Sequence, residues 1–341
     1  MKKFCVILSL LLIVSMQSVA FAQDATEPII PPAKNPINLT ISPITLFMNT
    51  TPGVSTSAQI KIQNGNTEAE TLKTFISTFT ADKSGERPIL RDLTEADTFQ
   101  DWIHLSETNF TISPGEWKTI TVTFSPPVGS SLSYYYSIGF ERTVLEKKDG
   151  EMTLNGAPAI LVLTTVNTPF AVRKLSLSSF QARFPFVEYL PQEFVVTVHN
   201  DGNVHLAPSG DIFIDSSSKE NIALLPLNPK NSMVLPNSER SFVVSWSDGF
   251  PLKQKSDAGK SSKTIWDFTR INSFRFGKYT AHLLLVYDDG TRDIPVETAI
   301  SFWVIPWKII LVVLLICSFT FMGLRATLLG IFKKRKKTTS S

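Results

Sequence analysis

Apolar and polar positions alternate along most of this 341-residue chain, and the alternation begins at Asn38. Leu39-Thr40-Ile41 and Ile44 to Met48 flank Ser42-Pro43. Ala58-Gln59-Ile60-Lys61-Ile62 alternates at every position, and Asn64-Gly65-Asn66 turns the chain into Thr71 to Thr80. Thr98 to His104 reads as a short helix around Trp102. Phe110 to Ile112, Thr119 to Phe124, Tyr134 to Arg142 and Ala159 to Val166 resume the strand pattern. Strands spaced about 8 to 12 residues apart, with no long helix between them, predict an antiparallel sandwich over residues 37–168.

The same grammar returns over 169–303. Phe194 to Val198 leads through Asn200-Asp201-Gly202-Asn203 into Val204 to Leu206, and Asp211 to Ile214 follows. Arg240 to Trp246, Tyr279 to Tyr287, the turn Asp288-Asp289-Gly290 and Pro295 to Val304 complete the unit. Asn, Asp and Gly tolerate the positive φ that tight hairpins need. Thr51-Pro52-Gly53, Ser113-Pro114-Gly115 and Leu235-Pro236-Asn237 each precede an alternating run, a repeated turn that predicts two related sandwiches joined near Asn167 to Val172. Lys253 to Lys263 reads as a polar loop, and Thr264 to Ser273 as a brief helix with Ile265, Trp266 and Phe268 packed inward.

Both ends break the alternation. Val304 to Leu324 is a run of 21 residues with only Lys308 charged. About 20 such residues cross about 30 Å of hydrocarbon as a helix. Trp303 and Trp307 stand where an aromatic belt lies, Lys308 and Arg325 where long cationic side chains reach headgroups, and Lys333, Lys334, Arg335, Lys336 and Lys337 mark the cytoplasmic side of a tail spanning 325–341. At the other end, Met1-Lys2-Lys3, the apolar Phe4 to Val14 and Ala20-Phe21-Ala22 predict a signal peptide over 1–22, cleaved after Ala22; an uncleaved anchor is the alternative. The proline-containing stretch 23–36 reads as an extended leader. The whole predicts an all-β chain, two tandem sandwiches outside a plasma membrane followed by a single transmembrane helix.

This division changes the meaning of the net charge of +3. Nine of the 33 Lys and Arg lie in the two membrane-related ends and none of the 30 acids do, so 24 basic residues face 30 acidic ones between them, a net charge of −6. A nucleic-acid surface needs clustered positive charge, which this stretch lacks. Cys5 and Cys317 fall in the signal and the span, which leaves no cysteine for a disulfide or thiolate metal site in either sandwich.

Candidate chemistry is thin. His199 and His205 flank a turn but have no third ligand spaced to join them, and zinc sites need at least three. No G-x-S-x-G elbow or phosphate-cradling glycine loop is present, and no cofactor is implied. Tyr134-Tyr135-Tyr136, with Trp102 and Trp117, is the most aromatic part of the first unit. Strand geometry sends Tyr135 to the opposite face from Tyr134 and Tyr136, so Tyr134, Tyr135, Tyr136 and Trp117 are the candidate interaction surface, with a half-exposed core strand as the plain alternative.

Phe194 to Ile214, Leu235-Pro236-Asn237-Ser238-Glu239-Arg240-Ser241-Phe242 and Phe276 to Ala281 resemble the second domain of bacterial cell-surface proteins of the WxL-interacting type. The segment from Leu39-Thr40-Ile41-Ser42-Pro43 through Ser113-Pro114-Gly115 is similar to their N-terminal immunoglobulin-like domain. The resemblance implies a bacterial surface protein whose first domain associates with wall polymer or peptidoglycan and whose second binds a partner; it supplies no catalytic residues. The resulting expectation is a non-enzymatic, membrane-anchored adhesion or scaffold protein that binds cell-wall polymer or a surface protein. An assembly factor that pairs with secreted surface subunits by strand addition is the alternative, and a passive spacer is the third reading.

Overall fold

The computed structural model describes residues 36–130, 132–143, 157–255 and 262–338. The predicted signal peptide at 1–22, the predicted leader up to residue 35 and part of the Lys253 to Lys263 segment lie outside the described residues.

Among the described residues the first unit has ten strands: β1 (Leu39–Ser42), β2 (Thr45–Thr50), β3 (Thr56–Asn64), β4 (Glu70–Ala81), β5 (Pro88–Asp92), β6 (Ile103–Leu105), β7 (Asn109–Ile112), β8 (Trp117–Phe124), β9 (Leu132–Arg142) and β10 (Ala159–Val166). One sheet has the order β1-β3-β8-β6 and the other β2-β10-β9-β4-β5, with β7 also pairing with β4. Between β1 and β2 the chain crosses from one sheet to the other at Pro43. Ile60, Ile62, Ile120, Val122 and Phe124 of the first sheet meet Leu72, Tyr136, Ile138, Phe140 and Val162 of the second in a fully buried layer. This is a sandwich of immunoglobulin type.

The second unit repeats it with β11 (Leu175–Ala182), β12 (Phe186–Val187), β13 (Gln192–Asn200), β14 (Ser209–Ser216), β15 (Ala223–Pro226), β16 (Glu239–Trp246), β17 (Leu252–Lys255), β18 (Ser262–Ile265), β19 (Gly277–Asp288) and β20 (Asp293–Val304). The sheet β11-β13-β16 faces β12-β20-β19-β14-β15, and β17 and β18 form a separate ribbon. Trp246, Phe194, Phe302, Ile212, Ile214, Leu283 and Leu285 fill the space between. Among the described strands, every ladder is antiparallel except β2 with β10 and β12 with β20.

Several sequence expectations shift. Val304 is 1 % exposed and ends β20 opposite Gly277, so it belongs to the second core; the C-terminal helix α1 (Trp307–Thr338) begins three residues later and runs through the basic cluster. Its stretch Trp307–Thr327 is long and apolar enough to cross a membrane, by length and composition. Leu206 makes an isolated bridge to Val234 instead of a strand. The Lys253 to Lys263 segment, read as a loop, is bounded by the ribbon, because Leu252 and Ile265 pair across it. The predicted helix contracts to a 3-10 turn at Phe268–Ser273, and Ile265, Trp266 and Phe268 are exposed, not packed inward. The short helix around Trp102 is a 3-10 turn over Thr98–Trp102.

Candidate functional site

The outer face of the β2-β10-β9-β4-β5 sheet carries a row of large side chains. Register places Phe47 beside Leu163, Leu163 beside Tyr135, and Phe79 beside Leu90. Phe79 closes the gap, with its ring edge-on to Tyr135 at 6.0 Å. The row crosses all five strands, and its two ends, Phe47 and Leu90, are each 49 % exposed. A parallel row, Thr45, Leu161, Ser137, Ser77 and Asp92, is hydroxylated at its centre, where Ser77 Oγ and Ser137 Oγ are 2.7 Å apart.

The second sandwich covers part of this face. Its segment Lys230 to Met233, with Leu235 and Arg240, forms one wall of a cleft of about 370 Å³; Thr45, Phe47, Phe79, Leu161 and Leu163 form the floor. Glu86, Arg87 and Pro88 close one end. The walls carry Arg87, Lys230 and Arg240 against Glu86, so an apolar floor is bordered by net positive charge. Arg240 Nη1 donates to the Met233 carbonyl at 2.9 Å and its guanidinium lies over the Phe242 ring. Burial lowers the Arg240 pKa, and the carboxylates of Glu86 and Asp82 oppose that shift.

Backbone geometry locks the two units together at this cleft. The Ser241 amide donates to the Ser84 carbonyl at 2.9 Å. Gly85 has a φ of +69°, and a Cβ there would stand 2.2 Å from the Glu239 carbonyl oxygen. Only glycine lets the 82–87 turn approach so closely. Beside the cleft, His205 of the second unit packs against Tyr135 and against Phe47, which also lines the floor. Burial, reinforced by the charge of Arg173, pushes the His205 pKa down to about 4, so the imidazole is neutral at pH 7.

The sequence-derived surface residues part company here. Tyr136 is fully buried in the first core, stacked on Phe124, and burial pushes its phenol up to about 12. Tyr134 packs among Phe99, Trp102 and Phe124 on the same inner face. Tyr135 faces outward as its position demands, but into His205 rather than into solvent. The tyrosines are therefore core and joint, and of the four candidates only Trp117, at the start of β8, is 49 % exposed. Trp303 and Trp307 bracket the entry to α1 and are exposed, Lys308 lies 3.2 Å from Glu188, and Arg325 is exposed on the helix. Lys333 to Lys337 follow as helical backbone. His199 pairs with Asp201 and His282 with Asp215.

The cleft escaped sequence reading because its walls come from segments about 150 residues apart, and a shared face is not a local pattern. The strand edges beside it were legible in part. Among the described residues nothing pairs with the far side of β2 or of β5. β5 is guarded by Pro88 at its start and by Arg91, which bonds Asp97 at 2.9 Å, just before its end. β2, Thr-Leu-Phe-Met-Asn-Thr, has neither proline nor charge. The carbonyls of Ile44 and Thr50 accept from Leu161 and Asn167 of the β10 segment, so the even-numbered residues of β2 face β10 and the backbone groups of Thr45, Phe47 and Asn49 point to the open side.

No family model matches the sequence, and no curated protein matches it. Among solved structures, the chain is similar to the class 5 fimbriae chaperone CfaA, with TM-score 0.39 and 14% identity over 76% of this chain and 99% of that one. It is also similar to the YadV chaperone (TM-score 0.35, 13% identity, 77% of this chain and 100% of that one) and to the E. coli chaperone DraB (TM-score 0.34, 10% identity, 77% and 98%).

Proposed function

We propose that this chain is a membrane-anchored, chaperone-like assembly factor that captures an extended segment of a secreted surface protein by strand addition to β2. The observation that carries the reading is the unguarded edge of β2 beside the apolar floor. Outward N–H and C=O groups at Thr45, Phe47 and Asn49 supply a ladder, and Phe47, Leu161 and Leu163 supply apolar contacts for alternate side chains of the guest. Main-chain pairing provides affinity for many sequences, and the apolar floor provides selection. Arg87, Lys230 and Arg240 along the walls favour a guest that is acidic or ends in a carboxylate.

The adhesion reading loses the support that the aromatic run lent it, because Tyr134, Tyr135 and Tyr136 are occupied by packing. Anchoring by α1 places such a factor where subunits emerge from the membrane, with the basic cluster at Lys333 to Lys337 on the cytoplasmic side.

A photo-crosslinking residue at Asn49 distinguishes the readings. Strand addition requires crosslinks to one or a few secreted surface proteins through a contiguous extended segment. Crosslinks to wall polysaccharide alone would return the protein to the adhesion class, and none at Asn49 combined with none at Phe47 would leave it a spacer.

A further inference from the structure

The end of the second sandwich from which α1 departs is ringed by exposed apolar side chains that no core explains. Ile265 and Trp266 lie at the end of β18, Phe268 and Ile271 on the 3-10 turn, and Phe274 and Phe276 on the approach to β19; their exposure runs from 39 % at Ile265 to 67 % at Phe268. Single exposed apolar residues are common on any protein surface, but a contiguous patch marks a contact.

The patch is built, not frayed. Trp266 rests on Phe250 and Tyr189, with ring centroids 5.9 and 6.1 Å away, and Phe268 stacks beside it at 6.5 Å. The Phe250 amide donates to the Ser273 carbonyl, and Phe250 bridges to Phe274. Arg270 and Arg275 both bond Asp248, at 3.1 and 2.7 Å, which pins the turn that displays Phe268 and Ile271.

Its position is tied to the helix. Glu188 bonds Lys253 of the ribbon and Lys308 of the first turn of α1, each at 3.2 Å. The Ile305 amide donates to the Val187 carbonyl, and Phe186, itself 63 % exposed, pairs with Trp303. Gly277 is opposite Val304, so Phe276 stands level with the residues that enter the helix. Two residues, Ile305 and Pro306, separate the last strand from α1. Whatever α1 enters, this end of the sandwich touches.

We propose that this patch is a lipid-binding surface that seats the second sandwich in the interfacial layer of the bilayer crossed by α1. The inference rests on the proposed anchoring by α1. Trp, Phe and Ile beside a membrane-entering helix are the composition of an interfacial surface. Four neighbouring cations share two carboxylates, Arg270 and Arg275 on Asp248 and Lys253 and Lys308 on Glu188, so the rim of the patch is held in place and keeps a net positive charge. The contact itself is made by the apolar side chains, so zwitterionic lipid suffices for it. A seated sandwich holds the first unit and its open β2 edge away from the membrane.

The test uses the full chain with Cys5 and Cys317 replaced by serine, carrying a nitroxide at Phe268→Cys, at Ile271→Cys, or at Arg292→Cys at the opposite end of β19 and β20, in phosphatidylcholine nanodiscs. The labels at 268 and 271 are expected to collide with oxygen in several-fold preference to a water-soluble nickel chelate, relative to the label at 292, and to be broadened by doxyl-labelled lipid. Equal chelate access at all three positions, in a chain that resists alkaline extraction from membranes, would overturn the seat and leave the anchor standing. Extraction of the chain at alkaline pH would overturn both. Dipolar broadening between two labelled chains without lipid broadening would assign the patch to a second copy and overturn the proposal.

Discussion

The Tyr135 hydroxyl stands 3.3 Å from His205 Nδ1, a contact between the outer face of the first sandwich and a loop of the second. It joins the two units beside the cleft, and it makes the joint sensitive to acid. Burial holds the folded-state pKa of His205 at about 4, below the ordinary value of 6.5. The unfolded chain therefore takes up a proton first as pH falls. Stability is whole above pH 6.5, declines between 6.5 and 4, and levels off below, with a total loss of about 3 kcal/mol. Urea unfolding of His205→Gln against the parent across this window should show a flatter pH profile in the variant. Parallel profiles would remove His205 from the joint's acid response.

Gly85→Ala should loosen the same joint from the other side. Its φ of +69° costs an alanine about 1 kcal/mol, and its Cβ would meet the Glu239 carbonyl oxygen. The 82–87 turn must withdraw, and the Ser241 amide then loses its bond to Ser84. Hydrogen exchange should accelerate at Ser241 while the amides of β8 and β19 keep their protection.

Asn49→Pro separates capture from folding. The Asn49 amide faces away from β10, so proline removes a donor from the open edge without breaking the β2–β10 ladder. Recovery of the surface-protein guest by pull-down should fall at least tenfold, with the thermal midpoint within a few degrees of the parent. Undiminished capture would exclude pairing at β2.

Asn64 and Asn200 are equivalent fixtures at the ends of β3 and β13. Asn64 donates to the carbonyls of Glu68 and Ile112 and accepts from the Asn66 amide; Asn200 donates to those of Val204 and Val234 and accepts from the Gly202 amide. Both side chains are fully buried. Either change to alanine strands buried backbone groups and should cost about 2–4 kcal/mol by denaturant titration. The two have no shared partner, so the double variant should be additive within about 0.5 kcal/mol if the chain unfolds as a unit.

Alternation in the chain is enough to reveal two sandwiches, because a strand with one face in a core and one outside must alternate. Ala159 to Val166 was readable to the residue. β5 was not, since Pro88, Arg91 and Asp92 erase the pattern on an edge that buries nothing. β11 is obscured by a register shift between Leu177 and Ser179. The apolar run near the C-terminus is equally plain, yet its first residue, Val304, went to a core because pairing with Gly277 carried β20 through it.

The tyrosine run shows where local pattern stops. Period-two geometry sends Tyr135 one way and Tyr134 and Tyr136 the other, and that much follows from sequence. Whether the outward side meets water or another unit depends on residues distant in the chain, here His205, which the alternation of β9 cannot encode. The cleft and the apolar ring around α1 arise in the same way. Hydrophobic periodicity reports which side of a strand is covered, and long-range packing selects what covers it.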